Sequence, residues 1–584
     1  MATPLVGTFR PPTVSRSDAV AVCLVLLLVP LVVGRPYARV GADVADGRAY
    51  RAYFTADFVW KMAVVAEVSK GDMPPRNQFL RGTPLHYYWT PHLLSALEYR
   101  TLGRDARLDR LLLVNATLLG LVFMTFLYAF ARQFTVTPAA AAAGCVFVLL
   151  FSSYEGLERL IHVWREGLPI AVLRNVNIYA VTRWFYGALP VDGLHRLLLY
   201  QPQHHAMAYA VGLSTLLLAV QAQRLARPAV LLLVGTLLGA SVLLSAFSAI
   251  MAAGMTAVYV LVRLLAAGQW RALLPCALAG AVPLAAAAAA GIGLQYVDRS
   301  AGAEGLVEII VNPMAVRQPL ITVPLSFGAV LFVGVAGLVA GLRRVPSLFI
   351  APLVVVVLSA LFFCFVNVRD HQYVYVGWRA GHYIFIASAA LCGFALERLW
   401  AGRARLATLG VVAVLALAAL PSVLLDLYNT QDIDNRSPGP GFNWTTILTH
   451  DELEALDWLR RLTPVDSVVQ VEPHVRQNYT WAYLPAFAER RMAAGLPISM
   501  VPLKPYEEAS ARVREVYTAS NAQHAYELAA RLRIDYLVIG PPEAAAYPDL
   551  RTRLDERPEL FRQVFRNGTM TIYFVDGGAR QPLG

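Results

Sequence analysis

A polytopic α-helical membrane protein with an extracytoplasmic α/β domain at its C-terminus is the fold class this sequence predicts, and three observations predict it. Of 584 residues, 57% are hydrophobic and only 15% charged, against about 25% charged in an ordinary soluble domain. Apolar runs of sixteen to twenty-two residues recur between Ala19 and Leu425, the length that crosses a hydrocarbon core about 30 Å thick as helix. From about Tyr428 the composition turns polar, through the linker Asn435-Arg-Ser-Pro-Gly-Pro-Gly441. The first two observations exclude a soluble cytosolic enzyme.

The runs give about eleven spans, at 19–34, 110–130, 138–152, 205–221, 228–245, 249–266, 273–294, 321–342, 348–366, 383–399 and 406–425. Between 228 and 266 the hydropathy fits one long helix or two spans meeting at Ser245-Ala-Phe-Ser248; only two keep the later charges in phase. The first span follows Arg10 and Arg16 with no small-x-small site close behind it, and reads as an uncleaved anchor. With the N-terminus cytoplasmic, twelve arginines lie on the inner side (Arg10, Arg16, Arg132, Arg224, Arg227, Arg263, Arg271, Arg343, Arg344, Arg398, Arg403 and Arg405) against Asp18 and Glu397. Positive residues gather inside, so the long segments 35–108, 153–204, 296–320 and 367–382 and the tail fall outside a multi-pass protein of the inner (cytoplasmic) membrane.

The division this implies is a transmembrane catalytic domain over 1–427, with 35–108 as its first outer loop, and an α/β domain over 428–584. In the tail the patterns predict helix 451–461, strand 467–472, helices near 483–494, 506–518 and 521–532, and strands 535–540 and 570–575. No glycine fingerprint follows a strand there. The formal charge of +11 comes almost entirely from scattered arginines, with only Lys61, Lys70 and Lys504 as lysines; no basic run forms, which points away from nucleic acid. The five cysteines all lie in predicted spans without metal spacing and read as small buried hydrophobes.

Ionisable residues concentrate in the outer segments. The first loop holds Asp43, Asp46, Asp57, Lys61 and Asp72, then Pro74-Pro75-Arg-Asn77 and Gly82-Thr-Pro-Leu-His86-Tyr87-Tyr-Trp89. A loop this long without a span is functional or disordered, and its aromatic density argues for function. DFVWKMAVVAEVSK, from Asp57 to Lys70, has helical spacing and predicts a short interfacial helix. Asp57 then has two readings, a reactive carboxylate or a residue favoured at a helix N-terminus. Gln201-Pro-Gln-His204-His205 opens the fourth span; adjacent histidines point about 100° apart, which suits donation to a phosphate or sugar, or a solvent-facing interfacial pair, better than a shared metal. Arg369 to Tyr383 runs into the tenth span, and its Arg379 calls for a negative partner, either Asp370 or a lipid phosphate.

Taken in order, DFVWKMAVVAEVSKGDMPPRNQFLRGTPLHYYW, QPQHHAMAYAVGL, GWRAGHYIFI and the tail segments EALDWLRRLTPVDSVVQVEP, AERRMAAG, REVYTA, RIDYLVIGPPE and FRNGTMTIYFV resemble the GT-C superfamily of integral-membrane glycosyltransferases. The adjacent acidic pair common in the family's first loop is replaced by Asp43-x-x-Asp46 and a separate Asp57, which leaves the choice of base and any need for a divalent metal (Mg or Mn) open. The resemblance implies sugar transfer from a polyprenyl-phosphate or polyprenyl-pyrophosphate donor to an extracytoplasmic glycan, lipid or protein acceptor, within membrane lipid. On it Asp57 is the expected base, with Asp43 or Asp46 as fallback, and Arg379, His382, His204, His205, His86, Tyr87 and Lys61 are expected to bind substrate. A transporter or flippase for lipid-linked glycans is the rival reading, but it predicts mid-membrane charge pairs or matching halves, and the spans show neither. A non-catalytic membrane scaffold leaves the outer cluster unexplained.

Overall fold

The computed structural model describes residues 14–103, 105–178, 181–189, 191, 193–199, 203–222, 227–296, 307–368, 374–439, 443–476, 484–496 and 503–576. The side chains at 52–57, 184, 203–204, 368, 374–375 and 378 lie outside that description.

In chain order the helices are α1 (Arg16–Arg39), α2 (Ala52–Val68), α3 (Leu93–Leu102), α4 (Leu108–Arg132), α5 (Pro138–Leu150), α6 (Glu155–Arg165) and α7 (Leu194–Leu199). There follow α8 (Gln203–Gln221), α9 (Pro228–Leu244), α10 (Ala246–Ala266), α11 (Leu273–Gly293), α12 (Pro319–Arg344), α13 (Pro346–Phe365), α14 (Val374–Trp400) and α15 (Arg405–Gln431). The tail adds α16 (His450–Leu462), α17 (Pro473–Arg476), α18 (Lys504–Thr518), α19 (Ala522–Arg531), α20 (Pro541–Ala546) and α21 (Leu550–Asp555). The strands are β1 (Ala42–Val44), β2 (Gly47–Arg51), β3 (Val307–Ile309), β4 (Val366–Val368), β5 (Thr445–Thr449), β6 (Val469–Gln470), β7 (Tyr536–Ile539), β8 (Phe561–Arg566) and β9 (Thr571–Val575).

Two compact units result. A helical unit comprises Met1–Ala38, Val114–Gly291 and Gly302–Asp432; a mixed unit comprises Arg39–Leu113, Ile292–Ala301 and Ile433–Gly584. Most of the first outer loop falls in the mixed unit with the tail.

In the helical unit a helix answers each predicted span. Among the described residues eight are long and apolar enough to cross a membrane, nine if α5 and α6, bent by 43°, form one span. The protein is thus a multi-pass membrane protein. The helices over 138–152, 205–221 and 228–245 are not by themselves among the eight. The stretch 228–266 is two helices, because Ser245 adopts an extended conformation (φ −161°, ψ 100°) that breaks the ladder. Helix α14 packs against α5, α12 and α13 and is the most buried of the eight. Small residues permit this: a Cβ on Gly144 of α5 would stand 2.1 Å from the Ala389 carbonyl of α14, and one on Gly337 of α12 would stand 2.0 Å from the Leu391 carbonyl. With no hydrophobic drive between helices in lipid, such close backbone approach is how they gain packing energy.

In the mixed unit, β1, β2 and β5 form an antiparallel sheet in which Arg51 lies opposite Thr445 and Gly47 opposite Thr449. The tail sheet has the order β6-β7-β9-β8, parallel at β6–β7 and antiparallel elsewhere. Its core joins Val513, Val516 and Tyr517 of α18, Ala525 and Ala529 of α19, and Leu537 and Tyr573 of the sheet. Helix α16 starts on a capping box, Thr449 with Glu452, which satisfies two otherwise orphaned amides.

Three local expectations change. The predicted interfacial helix is α2, buried from Phe58 to Val68. Its apolar residues occupy more than one face, so it serves as a core element of the mixed unit. The helix expected near 483–494 is one wide turn, Leu484–Ala488, followed by extended chain, because the Met492 and Gly495 amides donate to the Gln78 and Phe79 carbonyls of the first loop. Strands β5 and β8, unmarked by simple alternation, complete the two sheets.

Candidate functional site

The polar cluster of the helical unit forms where α8, the break between α9 and α10, and the start of α14 meet. Helix α14 begins at Val374, so Arg379 and His382 lie in its opening turns and not in a loop ahead of a span at 383. One helical turn separates them, which puts both on one face. Arg379 is 6% exposed and His382 7%. The Arg379 guanidinium places Nη2 3.5 Å from His205 Nε2 on α8 and its Cζ 5.4 Å from the centre of the Phe247 ring. His205 Nδ1 stands 3.4 Å from Ser245 Oγ at the helix break. Four residues along α8, Tyr209 Oη lies 3.1 Å from His382 Nδ1, and Tyr383 donates to the Ser248 carbonyl at 2.8 Å. His382 Nε2 is buried with no hydrogen-bond partner among the described residues. A buried polar atom left without a partner costs stability, so its retention marks a place where a ligand can supply one.

The structure thus brings together three of the expected residues, Arg379, His205 and His382. The side chains of His204 and Trp378 lie outside the described residues, as do Arg369, Asp370 and His371. Tyr209, Ser245 and Phe247 belong to the cluster and carried only faint signals: Tyr209 stands at i+4 from His205, and Ser245 marks the polar interruption in 228–266. A second buried set was not marked by the sequence. Asp426 of α15 accepts from His195 Nε2 at 2.8 Å and from Arg196 Nε at 2.6 Å, and Glu155 accepts from the Thr182 amide at 3.2 Å. Both Asp426 oxygens are engaged, so this set ties α7 to α15.

In the mixed unit α2 carries Asp57 at its sixth position, while the N-cap is Arg51. The N-terminal capping alternative for Asp57 is thereby removed; its side chain is outside the described residues. Lys61, one turn on, is only 3% exposed. His92 is fully buried, and burial together with the Lys61 charge holds its pKa down to about 3; its ring is neutral at working pH. Tyr87 stacks on Tyr88 at 4.2 Å and meets Trp60 edge-on at 5.7 Å, while His86 Nδ1 lies 2.9 Å from the Gln295 carbonyl. Asp43 and Asp46 stand apart from these groups on the β1–β2 hairpin. Their side chains are 76% and 55% exposed and face Arg48 at 3.4 Å and Arg436 at 2.6 Å. Each is a solvated surface pair.

No protein-family model matches the chain, and no curated protein matches it. Solved structures do. The oligosaccharyltransferase of Archaeoglobus fulgidus in complex with Zn and sulfate aligns at 14% identity and TM-score 0.51 over 93% of this chain and 71% of that one. Its apo form aligns at 14% identity and TM-score 0.50 over 90% and 69%. ArnT from Cupriavidus metallidurans, bound to undecaprenyl phosphate, aligns at 13% identity and TM-score 0.46 over 96% of this chain and 100% of that one. The chain has the GT-C fold. The first of these structures holds zinc, and among the described residues of this chain no group of three or more His, Cys, Asp or Glu side chains converges. Asp43 and Asp46 are each taken by an arginine, and Asp426 by His195 and Arg196.

Proposed function

We propose that the chain is a membrane glycosyltransferase that moves a sugar from a polyprenyl phosphate or pyrophosphate donor to an acceptor outside the cytoplasmic membrane. The observation that carries this reading is the Arg379–His205–His382 cluster, a nearly buried guanidinium beside two imidazoles in the opening turns of a membrane helix. Breaking a glycosyl–phosphate bond builds negative charge on the departing phosphate. A guanidinium meets two phosphate oxygens with a charge that does not titrate, and a fixed donor set needs no reorganisation as that charge grows. His382 Nε2 supplies a further polar contact. A lipid-linked donor also requires groups of this kind near hydrocarbon, where unpaired charge is costly.

Arg379→Lys is expected to lower turnover by a factor of roughly 10 or more at normal expression, because lysine keeps the charge and loses the fork. Full activity in that variant would make Arg379 a structural residue. Activity itself is read by comparing envelope glycans and the polyprenyl-linked sugar pool in cells with and without the gene; unchanged glycans and an unchanged pool would overturn the reading.

The site must also face the compartment where the acceptor resides. The excess of arginine on one side of the predicted spans supports an N-terminus in the cytoplasm with the first loop and the tail outside. Alkaline phosphatase fused after Gly441 is then expected to be active. An inactive phosphatase there, with an active cytoplasmic reporter, reverses the orientation.

A further inference from the structure

The mixed unit holds a cavity of ≈ 1270 Å³ walled by the Pro74–Pro84 segment of the first loop on one side and by α18, α19, Asp535 before β7 and the end of β9 on the other. Six arginines line it: Arg76, Arg81, Arg491, Arg512, Arg531 and Arg533. Two aspartates do as well, and both are occupied. Asp466 meets Arg491 Nη1 at 2.9 Å, and Asp535 accepts the Val468 amide at 2.8 Å. Arg491 is consumed by its carboxylates and Arg76 pairs with Asp72 at 3.0 Å. Arg512, Arg531 and Arg533 are exposed and have no side-chain partner among the described residues. Arg81 is held beside them by donating to the Leu532 carbonyl at 3.2 Å.

The backbone supplies a second, independent sign. Helix α19 ends in a paired cap, the Arg533 amide donating to the Ala530 carbonyl and the Ile534 amide to that of Ala529. This motif puts Arg533 in the left-handed region, φ 51°, where glycine is strongly favoured. An arginine there carries a conformational cost that glycine would not, and its side chain lines the cavity.

We propose that this cavity binds an acidic oligosaccharide, one bearing carboxylate or phosphate groups. Guanidinium forks match both anions bidentately, and the partly buried Tyr526 ring in the wall offers an amphipathic face to the C–H side of a sugar ring. The cavity exceeds the range of about 300–1,000 Å³ that suits a drug-sized ligand, so several sugar rings fit. The residues that line it all belong to the mixed unit, whereas Arg379 belongs to the helical one, and its occupation does not depend on the transferase reading.

The test is direct binding to the full chain in zwitterionic nanodiscs. The probes are a galacturonate hexamer, a maltohexaose of equal length, and phosphatidylglycerol-containing vesicles. The galacturonate hexamer is expected to bind, to weaken as salt rises from about 50 to about 300 mM, and to outcompete maltohexaose. Arg533→Gly is the decisive variant, since glycine suits the left-handed cap and the fold is preserved. It should weaken binding by about 3-fold, and Arg512→Gln with Arg531→Gln added should bring the loss to roughly 10-fold or more. Equal binding of the neutral hexamer, no galacturonate binding at low salt, unchanged affinity in the triple variant, or binding confined to the vesicles would each overturn the proposal.

Discussion

An Asp57→Asn protein is expected to turn over donor on the order of 10²–10⁴ more slowly than the native chain. Attack on an activated sugar carbon requires a group to accept the proton of the acceptor hydroxyl, and direct inversion uses no second, nucleophilic carboxylate. Among the first-loop aspartates considered, Asp43 and Asp46 are solvated and held by arginines. Asp57 sits on a helix whose following turns, Phe58 to Val68, are buried. Asparagine keeps the size and loses the proton acceptor. The capping alternative would predict no loss, because asparagine caps as well as aspartate, but the cap position belongs to Arg51. Initial rates on a lipid-linked donor, with expression matched, read the effect. Native turnover in that variant would remove Asp57 from the mechanism and direct the same substitution to Asp43 and Asp46.

Arg491→Ala is expected to destabilise the mixed unit by about 3–5 kcal/mol, the cost of breaking a buried ion pair by removing one partner. Arg491 reaches Glu67 of α2 through Nε and Nη2 at 2.9 and 2.5 Å, Asp72 at 2.8 Å and Asp466 at 2.9 Å. Glu67 is buried and, among the described residues, retains the Lys70 ion pair at 2.8 Å once the arginine is gone. Glu67→Gln should recover part of the loss in the Arg491→Ala background, since it removes the stranded charge. Denaturant unfolding of the detergent-solubilised protein measures both. A loss below about 1 kcal/mol would reclassify the contact as one of the weak exposed kind.

Hydropathy and charge made the membrane part legible, because the bilayer imposes a length and a composition that local sequence must satisfy. Even the interruption at Ser245 could be read. The start of α14 could not: Gly377-Trp-Arg-Ala-Gly-His382 looks polar for a span, and the neighbours its glycines pack against, Leu189, Val191 and Phe363, are not local in sequence. Helix α2 deceived for a related reason. Its apolar faces suggest a membrane surface, whereas a protein core buries them. What was least visible was long-range: nothing in Gly47–Arg51 or Thr445–Thr449 announces that they pair. The Arg379–His205 contact is likewise a meeting of residues 174 positions apart, and the sequence offered the residues without the contact.

The pairing of β2 with β5 also sets an order of events during biogenesis. Arg51 and Thr445 are 394 residues apart, so β2 is synthesised long before its partner strand and must wait, with β1 alone beside it, while the remaining helices enter the bilayer. A waiting edge strand is a template for wrong pairing. The nascent first loop is therefore a natural client for chaperones on its side of the membrane, and a ribosome that stalls anywhere before Thr445 releases a chain whose β2 edge stays open to proteases.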